Sequence, residues 1–397
     1  MTRMDELLDG PRPNSSLKIG IVGRGMIGAS AARHLSKAGY DVTLIGPGEP
    51  DNRASHDGVF GSHYDEGRIT RLLDPHPVWE ELAANSIARY AEIEAESGIR
   101  FFTEAGLLIG APKNSEYVHK LQDVRDKNNI NSAELSGTSL RSAFPFLSFD
   151  DDMIMLHQPQ KAGHVSPRNL VAAQSKAARR HGATIIDAYA RSIEGRTVTT
   201  GSQTFEFDRI LVACGAFTNA LLERPLALRP LARTIVFFEL SDKEAERLNQ
   251  MPSVIFRVAD GSDPYVLPPI RYPNGKTYLK IGGEPTPRVL NTDQDMRSWF
   301  RGEGDKNLKD YMSARMEKLI PGLEYLNIHT EACAVTYTST GLPYIGSINE
   351  HTTVAAGGCG GAAKSCDEIG RIAGEALLGK ADPRFTIKYK DEDNDET

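Results

Sequence analysis

A two-lobed α/β architecture is what this sequence predicts: a Rossmann-type dinucleotide-binding lobe and a second, α+β lobe built on an antiparallel sheet. Three observations carry that expectation. The first is a glycine turn, Gly23-Arg24-Gly25-Met26-Ile27-Gly28, set between an apolar, β-branched run at 17–22 and a segment of helical spacing at 29–38. The second is the return of glycine turns at Cys214-Gly215-Ala216 and Gly357-Gly358-Cys359-Gly360-Gly361, which spreads one nucleotide lobe over separate stretches of chain. The third is the texture between them, mostly helical at 74–150 and alternating like antiparallel strands at 230–328.

The elements follow in order. LKIGIV at 17–22 and DVTLI at 41–45 are strands flanking the first glycine turn and its helix, half of a dinucleotide fold. Residues 169–181 read as a helix, 183–186 and 207–213 as strands, and 353–356 as a strand leading through the five-residue turn into a helix at about 364–378. The other lobe holds a strand pair around 101–110, strands at 234–240, 265–267 and 277–281, and a helix at 306–319. The expected division is therefore 17–73, 151–229 and 329–387 for the dinucleotide lobe and 74–150 with 230–328 for the substrate lobe. Residues 1–16 and the acidic tail 388–397 read as frayed, solvated ends.

Composition narrows the partners. The 397 residues carry 46 Lys and Arg against 53 Asp and Glu, a net charge of −7. Such a chain has no overall positive field for a phosphate backbone, so no nucleic acid is expected. No window approaches the ~18 to 20 apolar residues of a membrane span. The four cysteines form no CxxC pair, which argues against a metal site or a disulfide framework. A cytoplasmic protein, reduced and free of membrane, fits best.

The turn's physics is specific. Gly23, Gly25 and Gly28 permit a tight bend, close backbone approach to a pyrophosphate and close helix packing, while Met26 and Ile27 open the helix whose free N–H groups face the anion. The acidic residue expected ~20 positions on, for the ribose hydroxyls, is absent. The second strand ends Ile45-Gly46-Pro47-Gly48-Glu49, so either Glu49 reaches back or backbone groups at Gly46 serve.

The run Gly61-Ser62-His63-Tyr64-Asp65-Glu66-Gly67-Arg68-Ile69-Thr70-Arg71, taken with the glycine turn, LKIG at 279–282 and AAGGCGGAAK at 355–364, resembles the monomeric sarcosine oxidase and N-methyltryptophan oxidase branch of the flavin-dependent amino-acid oxidases. The resemblance covers nearly the whole chain in order. It implies FAD in a glutathione-reductase-like domain, with a small amino-acid substrate and dioxygen as the partners of a monomer. It implies that Arg71 and Lys364 grip the substrate carboxylate and that Lys280 faces the flavin and promotes its reaction with oxygen. Ser62, His63 and Arg68 would then lie beside the ring, with Gly215, Gly358, Gly360, Gly361 and Lys364 also around the cofactor.

Three departures qualify it. Cys333 precedes Tyr337-Thr338 by four residues where the family's flavin-linking cysteine precedes its Tyr-Thr pair by two. Counting from Pro321-Gly322 aligns Cys333 with the attachment position, whereas counting back from Tyr337 aligns Val335; a covalent link stays open and is not favoured. The family's pocket histidine is replaced by Glu284, and the pocket tyrosine falls near Tyr265 or Val266 in a stretch lengthened by Pro268-Pro269-Ile270-Arg271. Tyr337 and Glu284 are the candidates for tuning the amine's protonation. The expected reaction is oxidation of a secondary amine, sarcosine-like or another N-substituted glycine. The alternatives are a primary amino-acid oxidase, a flavin dehydrogenase serving an electron carrier, and, in last place, a flavin binder without turnover.

Overall fold

The structure, a computed structural model, describes residues 17–56, 58–258 and 261–392. Its first layer is a six-stranded sheet in the order Tyr344–Ser347, Thr352–Ala356, Arg209–Val212, Lys18–Val22, Asp41–Ile45, Thr184–Ile186. All neighbours are parallel except the first pair. A strand buried on both faces has no alternation to show, and Lys18–Val22 is accordingly apolar at four of its five positions and covered there. Ile19, Ile21, Val42 and Leu44 form one core with Leu35, Ile369 and Ile372 from the helices Met26–Lys37 and Ala362–Leu377. Those two helices lie so close that a Cβ on Gly370 would stand 2.6 Å from the Ala31 amide nitrogen.

The second layer is an eight-stranded sheet ordered Asn327–Thr338, Leu228–Leu240, Thr277–Gly282, Tyr265–Arg271, Ser253–Phe256, Leu107–Pro112, Met153–Gln158, Ala133–Ser136. Its period of two sorts side chains by face. Val236, Phe238, Leu279, Ile281 and Val266 pack under Met312 and Met316 of the helix Leu308–Leu319. Their neighbours in sequence take the other face, and the pairings Phe237 with Lys280, Leu267 with Lys280, Tyr265 with Gly282 and Arg233 with Cys333 place them side by side there.

Two expectations need correction. The segments around 101–110 do form strands, Phe102–Thr103 and Leu107–Pro112, but they do not pair with each other; the first joins Gly163–Val165 and the second joins the large sheet. Nor is the start of the acidic tail frayed. Tyr389 bridges to Leu226, its ring lies 3.8 Å beneath the Arg224 guanidinium, and Arg224 binds Asp391. Residues 1–16 and 393–397 lie outside the described part. The stretch lengthened by Pro268-Pro269 remains strand, with a register shift between Leu267 and Ile270 where two prolines remove ladder donors. Among the described residues no helix is long and apolar enough to cross a membrane.

Candidate active site

An elongated cavity follows the carboxyl ends of the parallel strands, touching Val22, Ile45, Ala213 and Ala356, the place where open α/β sheets bind ligands. The sequence-selected residues Gly23, Gly25, Met26, Ile27, Gly46, Ser62, His63, Arg68, Gly215, Cys333, Gly358 and Gly360 all line it. Two helix N-termini converge on it, that of Met26–Lys37 behind Gly25 and that of Ala362–Leu377 behind Gly361, and neither carries an acid in its first turn. Both leave backbone N–H groups for an anion.

The glycines divide the work. Gly23 has φ +111°, and a Cβ there would meet the Ala213 oxygen at 2.3 Å. At Gly25 an added Cβ would find only His63 Nδ1, at 3.8 Å, so this residue keeps the backbone bare toward the cavity. Gly28 does not line the cavity; its Cβ would stand 1.9 Å from the Gly23 oxygen, which makes it the residue that lets helix and turn touch. This cradle and the two helix ends fit the pyrophosphate and ring of a flavin dinucleotide. Gly28→Ala is expected to yield protein without yellow colour, read as the ratio of visible to ultraviolet absorbance after purification in excess FAD.

Beside Gly46, Glu49 is held by Arg168, at 2.7 and 2.8 Å, and the Gly46 amide donates to the Ile186 carbonyl. An acid does stand nearby, just past the adjacent strand Thr184–Ile186: Asp187 accepts from the Gly48 amide at 2.9 Å and lies 3.4 Å from Arg24.

Elsewhere along the cavity Ser62, Arg68 and Cys333 are tied together. Ser62 donates to the Ala334 carbonyl at 2.8 Å, and Arg68 donates to the Ser62 carbonyl at 2.9 Å and to Cys333 Sγ at 3.4 Å. His63 opens part of its surface to the cavity but is otherwise enclosed, and burial, with Arg168, Arg24 and Arg68 adding to it, lowers its pKa to about 3. It stands neutral at pH 7. Lys280 is 1% exposed. Its ammonium lies 2.6 Å from Asp65 and also donates to the Gly67 carbonyl, while Asp65 pairs with Arg68 and accepts from Tyr272 at 2.8 Å. Burial pushes Lys280 well below its ordinary pKa and Arg68 adds to this, with Cys333, Glu331 and Glu66 opposing.

Arg71 and Lys364 meet, 293 positions apart in the chain, on a shared acid (364 − 71). Asp74 Oδ2 lies 3.0 Å from Arg71 Nη2 and 3.3 Å from Lys364 Nζ. Neither Arg71 nor Lys364 lines the cavity, and nor do Lys280, Glu284 and Tyr337; the Lys364 ammonium also donates to the Trp79 carbonyl at 3.2 Å and sits 5.2 Å from the Trp79 ring. Burial lowers its pKa to about 8, with Asp74 opposing. Gly361 likewise acts by packing, since a Cβ there would enter the Trp79 ring at 2.6 Å. Glu284 and Tyr337 are linked through Arg233, whose guanidinium lies 3.9 Å from the Glu284 carboxylate and donates to the Tyr337 hydroxyl at 3.3 Å. Burial raises the Glu284 pKa, and Arg233 opposes it.

Four polar groups in this constellation were not singled out from sequence: Asp65, Asp74, Arg233 and Asp187. Asp65 lies inside the motif run and Asp74 three residues past Arg71, where a count of charges around the proposed cations would have raised them. Arg233 shares the parity of Ile235 and Phe237, but its place beside Cys333 needs the strand register. Asp187 needed the knowledge that Thr184–Ile186 neighbours Asp41–Ile45.

Known proteins resemble this chain in sequence and in fold. The chain is 23% identical over 381 residues to monomeric sarcosine oxidase of Bacillus sp. (strain B-0618), covering 92% of this chain and 94% of that one. It is 24% identical over 246 residues to N-methyl-L-tryptophan oxidase of Yersinia pestis (strain Pestoides F), covering 60% and 64%. Among solved structures, NikD, described as an unusual amino acid oxidase essential for nikkomycin biosynthesis, superposes with a TM-score of 0.77 at 18% identity over 94% of this chain and 98% of its own. The family described as FAD dependent oxidoreductase matches residues 18–376, nearly the whole described chain, and this protein belongs to it.

Proposed function

We propose that this protein oxidises the carbon–nitrogen bond of a small amino acid, first of all a secondary amine such as sarcosine or another N-substituted glycine, acting as a cytoplasmic monomer and forming hydrogen peroxide from dioxygen. The observation that carries the reading is Lys280, a lysine buried to 1% and joined through Asp65 to Arg68, which lines the ring end of the cavity. Lysines are almost never so buried unless paired, and the partner of this one also contacts the cavity-lining Arg68. FAD held by the glycine turn and the two helix N-termini would supply the redox chemistry, two-electron transfer from amine to dioxygen.

The chain's own residues do the rest. The Arg71 guanidinium orients the substrate's acid group, which sets the reacting carbon against the ring. The helix Ala362–Leu377 directs its N-terminal N–H groups at the cavity, favouring negative charge there. Lys280 and Arg68, both held by Asp65, set their N–H groups in a dry place beside the cavity for the oxygen half-reaction. Glu284 and Tyr337, coupled by Arg233, bear on the protonation of the amine, which must give up its hydrogen from the neutral form. Asp187 and Arg24 offer the ribose a polar edge that the second strand lacks.

The test uses the purified yellow protein. Sarcosine or another N-methyl amino acid is expected to bleach the flavin without air, and admission of air to restore the colour with peroxide. Bleaching that air does not reverse quickly would favour a dehydrogenase; no bleaching across N-alkyl and primary amino acids would leave a binder. Acid precipitation reads the linkage: colour left in the supernatant is the expected result, and colour in the precipitate would mean a bond to Cys333, which lines the cavity beside Arg68.

A further inference from the structure

The carboxylate between Arg71 and Lys364 is one that a substrate of this class would otherwise provide, and here it belongs to the chain. Asp74 Oδ2 contacts both cations, and Oδ1 accepts from the His76 amide at 3.1 Å, which fixes the acid at the start of the helix Pro77–Ala88. Lys364 is 2% exposed and its three ammonium hydrogens have three acceptors: Asp74, the Trp79 carbonyl at 3.2 Å and Ser365 Oγ at 3.5 Å. Arg71 is differently placed. Its Nε donates to the Leu73 carbonyl at 2.8 Å and its Nη2 to Asp74, while Nη1 makes no hydrogen bond among the described residues and the side chain keeps 16% of its surface open.

We propose that Asp74 is a specificity-determining residue: by pairing with Lys364 it withdraws that ammonium from the substrate and leaves the free edge of Arg71 as the single cation for an acid group. The trio carries +1 + 1 − 1 = +1, so it balances one carboxylate and no more. The ligand that fits is a small amine with one carboxylate, bound by a single guanidinium rather than by two converging cations. This inference rests on the amine-oxidising reading and concerns how its substrate is held.

The test is anion binding to the flavin-loaded protein without turnover, with acetate as probe and acetamide as its neutral control, followed by the flavin's visible absorption and by calorimetry. Asp74→Asn keeps an oxygen for the His76 amide, releases Lys364 and removes one negative charge. Acetate affinity is expected to rise roughly tenfold to a hundredfold, the worth of one added charge-assisted hydrogen bond, with acetamide unchanged. Asp74→Ala, which removes the charge by another route, is expected to show the same gain. Adding Lys364→Met to Asp74→Asn is expected to cancel it. Unchanged or weaker acetate binding in both single variants, or a gain that survives the loss of Lys364, would overturn the proposal while leaving amine oxidation standing. A protein that retains no flavin under any condition would sink both.

Discussion

Lys280→Met is expected to leave anaerobic bleaching of the flavin by substrate largely intact and to slow the return of colour in air by roughly a hundredfold to a thousandfold, the usual cost of removing one preorganised electrostatic contact. The separation follows from what Lys280 touches. Its ammonium reaches Asp65 and the Gly67 carbonyl, and nothing ties it to Arg71, so substrate orientation does not depend on it. Nor should the fold collapse. With Lys280 gone, Asp65 keeps the Arg68 guanidinium and the Tyr272 hydroxyl, so no carboxylate is left buried and bare. Methionine fills the volume beside Phe237. Stopped-flow absorbance of each half-reaction reads the outcome; equal loss in both would make the lysine a structural residue and take away the main support for an oxidase.

Asp367→Asn is expected to cost about 3–5 kcal/mol of stability at pH 7, the cost of breaking a buried ion pair on one side. The side chain is fully buried and binds four partners: Gln174 at 2.7 Å, His34 at 3.1 Å, Ser30 at 3.2 Å and Arg89 at 2.5 Å. Arg33 Nη1, 3.6 Å away, has no hydrogen bond of its own. One carboxylate thereby joins the helices Met26–Lys37, Pro167–Arg180 and Ala362–Leu377 with the end of Pro77–Ala88 behind the nucleotide sheet. Burial works against its charge, but His34, Arg89 and Arg33 together hold its pKa well below the ordinary carboxylate value. A depressed folded pKa means stability that is fully present above the unfolded value near ~3.9 and lost as pH falls through the folded one. Urea unfolding should therefore show the largest deficit at neutral pH and a shallower acid limb in the variant. A deficit under about 1 kcal/mol would place this network among ordinary surface pairs.

The nucleotide lobe was legible because its signals are short-range. A strand, a bend that only glycine can make and a helix are written in one run from Lys18 to Lys37, and the steric argument at Gly23 and Gly28 is the same in sequence and in structure. The parity of Leu279, Lys280 and Ile281 likewise announces that Lys280 shares a face with neither apolar neighbour. What the chain does with its charges was not legible there. Glu49, a candidate for the ribose, is taken by Arg168; Asp187, just past the end of another strand, stands beside Gly48 instead; Cys333 faces Arg68.

By itself, then, the sequence determined the fold class and the glycine cradle, because each depends on residues a few positions apart. Only the tertiary structure decided which acid answers which cation. Asp65 reaches Lys280 across 215 positions, and Asp74, close to Arg71, meets Lys364 only when the helix Ala362–Leu377 packs beside Pro77–Ala88. Coulomb attraction in a dry interior acts over a few ångströms and takes no account of distance along the chain, so the register of strands and the packing of helices set the charge that a substrate meets.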